Sequence, residues 1–106
     1  MEYILCSAVW YKDLPLVKND IPSDLLRPKN CDSGIVFCGL RHPHCLYQMV
    51  AITGKKQHEA GREVQGFLTS ENRFVDRKEA WIIAKRENQI KRQSGGYGTL
   101  YSEDLY

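Results

Sequence analysis

The spacing of apolar residues changes character within residues 66–89, GFLTSENRFVDRKEAWIIAKRENQ. Phe67-Leu68 and Arg73-Phe74-Val75 are short β-favouring runs, and Ser70-Glu71-Asn72 between them is turn chemistry. The spacing predicts a hairpin there. A helix follows over residues 77–88, uninterrupted by proline or glycine. Asp76 is placed to cap it, and Glu79, three residues on, to reach back to the cap amide. At 100° per residue, Ala80, Trp81, Ile83 and Ala84 share one broad face, while Lys78, Glu79, Lys85 and Arg86 lie on the other. Ile82 falls among those charges. It is either a lone exposed apolar residue or the mark of a second partner, for which another copy of this chain is the natural candidate.

Elsewhere the pattern is equally directive. In residues 2–11, EYILCSAVWY, both alternating sets are largely apolar, as in a central strand. Residues 12–33 form a long polar connection punctuated by Pro15, Pro22 and Pro28, in which SDLL suggests one helical turn capped by Ser23. A connection of that length in a small domain is functional or an insertion. Residues 34–39, GIVFCG, read as a second strand bounded by glycines. Pro43 is suited to be the first residue of a helix that runs through LYQMVAI and stops at Gly54. KKQHEAGREV then reads as exposed. Residues 89–98 are a basic and then glycine-rich loop, and Thr99-Leu100-Tyr101 suits a final edge strand. The order strand, strand, helix, strand, strand, helix, strand predicts an α+β fold, a small mostly antiparallel sheet with two helices in a single domain over residues 1–106.

Composition narrows the class. A chain of 106 residues holds one modest core, which association between copies would help to stabilise. Hydrophobic content of 42% and charged content of 26% are those of an ordinary globular protein. No apolar run reaches membrane-spanning length, and the amino-terminal MEYILCSAVW has no basic flank or clear cleavage site, so it reads as a strand rather than a signal peptide. Nothing points to secretion, so the four cysteines are expected as reduced thiols in a cytoplasm. The net charge of +2 does not by itself imply nucleic acid. Its distribution says more: residues 55–92 hold ten Lys or Arg against six Asp or Glu, and SEDL near the end is acidic. That asymmetry suits a local anion site.

Five constellations carry candidate chemistry. In RHPHC at 41–45, Arg41 and His42 stand where a strand meets a helix N-terminus, a place for an anion. Cys31, Cys38, His42, His44 and Cys45 lie close in sequence, but without zinc-ligand spacing, so no metal is expected. Cys45 near His42 and His44 has the makings of a thiol nucleophile, although no Asn or Asp is placed to orient the base. Phe74 flanked by Arg73 and Arg77 combines a stacking ring with guanidinium groups, as a nucleobase and its phosphates require. The glycine-rich Gly95-Gly96-Tyr97-Gly98-Thr99 follows Lys91 and Arg92. No P-loop motif is present, and no nucleophile–base–acid series stands out.

The chain resembles the phage Thoeris anti-defence sponge family, the first of its two types. The resemblance rests on SAVW in the first strand, then GIVFCGLRHPHC, then QGFLTSENRFVDRKEAWIIAKRENQI, and finally TLYSEDLY. It implies a non-catalytic, cofactor-free protein that sequesters cyclic ADP-ribose signals made by TIR-domain enzymes, and in some members cyclic oligonucleotides. It also implies dimers or trimers of dimers in the host cell cytoplasm, without membrane or nucleic-acid partners. Carried onto matching positions, Phe74 would stack on adenine. Arg41, His42, Arg77, Gly98 and Thr99 would hold phosphate and ribose. In this chain Gly98 stands where a basic residue is expected before the threonine. Two further readings of the residues stay open: a small nucleotide-processing enzyme using His42 or Cys45, and a nucleic-acid- or protein-binding module.

Overall fold

The computed structural model describes residues 1–18 and 20–106; Asn19, within the long connection, lies outside the described residues. Four strands, β1 (Ile4–Tyr11), β2 (Ile35–Gly39), β3 (Glu63–Thr69) and β4 (Phe74–Asp76), form one antiparallel sheet in the order β2-β1-β3-β4. Its helices are α1 (Ser23–Leu26), α2 (His42–Thr53) and α3 (Arg77–Arg86), with short 3₁₀ turns at Gln57–Glu59 and Ser102–Asp104. The α+β architecture is therefore the one the apolar spacing predicts, with β1 flanked on both sides.

Register explains how the core divides. Ser7 faces Phe67, Phe67 faces Val75, and Val9 faces Phe37, so these side chains share one face of the sheet. Cys45 and Met49 of α2 pack there against Val9, Tyr11 and Phe37. Ala80, Trp81, Ile83 and Ala84 of α3 pack against Phe67 and Val75. A register shift between Ile4 and Cys6 turns Ile4 into the α3 cluster. The other face carries Ala8, Trp10, Val36, Cys38, Val64, Leu68 and Phe74, with Cys31 of the long connection packed on it.

That connection also closes the β4 edge. Asn30 accepts from the Phe74 amide at 2.8 Å and donates to the Phe74 carbonyl at 2.7 Å, as a neighbouring strand would. The edge is thus occupied, and Thr99-Leu100-Tyr101 is not a strand. Leu100 instead makes one main-chain bond, to the Arg77 carbonyl at 3.0 Å, and its side chain is wholly buried in the α3 cluster.

Helix ends show four smaller corrections. Pro22, not Ser23, is the cap of α1, and the Ser23 hydroxyl accepts from Arg27 at 3.0 Å. Helix α2 begins at His42, one residue before Pro43, and ends as expected at Gly54 with φ of 72°. Asp76 does cap α3, accepting from the amides of Lys78 and Glu79. The Glu79 carboxylate, however, takes Arg73 at 3.0 Å instead of the cap amide. Helix α3 stops at Arg86, two residues early, and Asn88 turns left-handed with φ of 58°.

Arg73 holds a second acid, Glu2, through two bonds of 2.8 Å, and Thr69 donates to the same carboxylate at 2.7 Å. These contacts, the Arg73 hydrogen bonds first, hold the Glu2 carboxyl down at about 2. Because the folded value lies below the unfolded one, this contribution is complete above about pH 4.5 and is lost as pH falls toward 2. Urea denaturation across that window should show the loss in the parent protein. It should be smaller in Glu2→Gln, which is less stable at neutral pH, because the Asp13–Arg62 pair remains.

Candidate functional site

The first residue of α3, Arg77, points back across β3 toward the last residues of the chain. One guanidinium nitrogen donates to the Leu100 carbonyl at 3.0 Å. The other donates to Gln65 Oε1 at 2.8 Å and meets His42 Nδ1 at 3.5 Å. The group also lies 4.5 Å from the centre of the Tyr101 ring. Among the described residues, three of its five donors are engaged and two have no partner.

His42 is fixed from the opposite side. It is buried, edge-on to Phe67, with Nε2 2.8 Å from the Gly66 carbonyl. The carbonyl can only accept, so Nε2 carries the proton and Nδ1 is left as the acceptor facing Arg77. Burial lowers the imidazole pKa, helped by the Arg77 charge. In the unfolded chain His42 titrates near 6.5. The unfolded state therefore binds a proton that the folded state refuses, and stability falls as pH drops below that value. Comparing urea unfolding at pH 7.5 and 5.5 checks this: the parent should lose stability between them, and His42→Gln should lose less.

Arg77 is half-buried, and burial pulls its pKa down too, yet a guanidinium remains charged. Among the described residues no carboxylate lies within ion-pair distance of it, whereas Arg62, Arg73 and Arg86 are each paired with acids. Beside it opens a cleft of about 340 Å³ lined by Gln65, Asp76, Arg77, Lys78 and Thr99. Arg77, Lys78 and Thr99 supply donors on its wall.

Helix N-termini contribute less than the sequence suggests. At α2 the Arg41 amide donates to His44 Nδ1 at 3.0 Å, and the His44 amide donates to the Arg41 carbonyl. At α3 the Asp76 carboxylate occupies the position an anion would take. Charge in this site comes from side chains.

The residues named from sequence are therefore partly gathered and partly dispersed. His42, Arg77 and Thr99 come together, with Gly98 adjoining Thr99 at φ of 90°. Arg41 lies beyond the 100–106 segment, where it donates to the carbonyls of Ser102 and Tyr106 and sits over the Tyr106 ring. Phe74 is on the opposite face of the sheet, 6% exposed and edge-on to Trp10, so its ring offers no open surface beside Arg77. Cys45 is fully buried, its thiol donating toward the Ser7 and Arg41 carbonyls at 3.8 Å, and burial pushes it up to about 11. Gln65 and Lys78 were missed. For Gln65 a signal existed, since it interrupts the apolar helix-facing set two residues before Phe67.

Fold and site together define a small sheet-and-two-helix domain with a cationic cleft at the start of its last helix. The chain belongs to the phage T4 y16D protein family, whose sequence model matches residues 3–106. No curated protein and no solved structure matches the chain. Among the described residues, no helix is long and apolar enough to cross a membrane.

Proposed function

We propose that this phage protein binds a small phosphorylated nucleotide signal of the cyclic ADP-ribose type and holds it unreacted. By doing so it lowers the free concentration of an immune signal in the infected cell. The observation that carries this reading is Arg77: a half-buried cation at the wall of a cleft, with no carboxylate partner and two unengaged donors among the described residues. A phosphate would satisfy it with charge-assisted bonds.

Capture without turnover is supported by the state of the reactive side chains. His42 has both ring nitrogens engaged, and the Cys45 thiol is buried and hard to ionise. Neither is poised for acid–base or nucleophilic work. Asp13 and Glu2, from outside residues 55–92, pair with Arg62 and Arg73 and offset part of the basic excess there, which argues against an extended nucleic-acid surface. Association between copies is supported by Ile82, 61% exposed among charges, and by Tyr47 and Ile52 on the outer side of α2.

Incubation with cyclic ADP-ribose isomers and cyclic dinucleotides, followed by thermal unfolding, tests the reading. A bound ligand raises the melting temperature and is recovered intact after denaturation. Conversion of the ligand, or no shift with any of these compounds, overturns it.

A further inference from the structure

Trp81 lies one helical turn beyond Arg77 on α3, and such i, i+4 neighbours stand about 5–6 Å apart at Cβ. Its indole is 6% exposed, yet Nε1 has no hydrogen-bond partner among the described residues and no access to water. A buried indole N–H ordinarily finds an acceptor, so the orphan marks a place where one is missing.

What covers Trp81 is Tyr97. The ring centres are 4.4 Å apart, tilted by 55°, while Tyr97 itself is 83% exposed. Gly96 and Gly98 on either side have φ of 79° and 90°, and a Cβ at either would meet nothing within 4 Å. Gly96 and Gly98 thus face open space, and the arm between them meets the body through the Tyr97 ring, on two residues of the type that most readily changes conformation. Its base is anchored: the Ser94 amide donates to Asp104 at 2.6 Å, and Gly95 lies against the Tyr101 ring. Two residues after Tyr97 the chain reaches Thr99, on the wall of the Arg77 cleft.

We infer that a planar heteroaromatic ring of the ligand inserts between Trp81 and Tyr97, while the phosphate joined to it through ribose sits on Arg77. This rests on the nucleotide-binding reading above and names the ring-binding half of the same site. Trp81 supplies a fixed floor, and its in-plane N–H reaches a ribose or phosphate oxygen. Tyr97 swings outward on its glycines to admit the ring and closes over it. Phe74, buried beyond the sheet, has no part in this.

Titration calorimetry with cyclic ADP-ribose and with ribose 5-phosphate, which lacks the base, separates the two halves. Tyr97→Ala and Trp81→Leu should each weaken cyclic ADP-ribose binding about 10-fold or more, the range for one stacked base, and leave ribose 5-phosphate unchanged. Tryptophan emission should change with cyclic ADP-ribose only. Tyr97→Ala alters an exposed side chain, so its result does not depend on folding. If both variants bind cyclic ADP-ribose like the parent while Arg77→Ala does not, the aromatic slot is wrong and the phosphate site stands. If the parent binds neither compound, the nucleotide-binding reading falls and the slot with it.

Discussion

Arg77→Ala should weaken binding of cyclic ADP-ribose by at least about 100-fold. Each hydrogen bond to a charged group contributes about 1.5–3 kcal/mol, and two guanidinium donors without a partner among the described residues can take a phosphate. Their loss amounts to about 3–6 kcal/mol, or two to four orders of magnitude in affinity. Arg77→Lys keeps the charge but not the planar fork, and should fall between the parent and the alanine variant. Arg77 also holds the Leu100 carbonyl and Gln65, so the alanine variant should lose about 1–3 kcal/mol of stability. Calorimetric titration and urea denaturation on the same samples separate the two effects. Unchanged affinity in a folded Arg77→Ala protein would remove this cleft from consideration.

The largest effect on folding is expected from Gly66→Ala. A Cβ there would stand 2.1 Å from the Val75 carbonyl oxygen and 2.8 Å from the Phe74 ring. Neither can retreat, because Val75 belongs to β4 and Phe74 is packed against Trp10 and Cys31. Separating β3 from β4 would also displace the Gly66 carbonyl that orients His42. The cost should exceed about 4 kcal/mol, a large part of the stability of a domain this size. Gly54→Ala provides the contrast: φ is 72° but the space is open, so about 1 kcal/mol is expected. Circular-dichroism melting compares them, and a Gly66→Ala protein melting within a few degrees of the parent would show that the sheet yields there.

How legible the site was depended on the range of the contacts. His42, Arg77 and Thr99 could be named because each sits at an element boundary visible in the local pattern. Their convergence could not, since it depends on the 100–106 segment returning across α3. Phe74 and Arg77 are three residues apart, yet the register puts the ring on the far face while the helix start turns the guanidinium toward the near one. Arg41 looked free in sequence because the carbonyls that engage it belong to Ser102 and Tyr106, some sixty residues away.

Apolar periodicity and turn residues alone placed β1, β2, the β3–β4 hairpin, both long helices, the Asp76 cap and the Gly54 stop, since each depends on neighbours a few residues apart; they did not show that β3 starts at Glu63 or that Ala60 is buried, within residues 55–64 that read as exposed. Tertiary structure alone decided that Asn30 takes the β4 edge, that Leu100 plugs the core rather than extending the sheet, and that Arg77 is left without an acid. Those outcomes are competitions among distant groups for one hydrogen-bonding edge or one charge. Such a competition has no local signature, because its result depends on which partner the folded chain delivers.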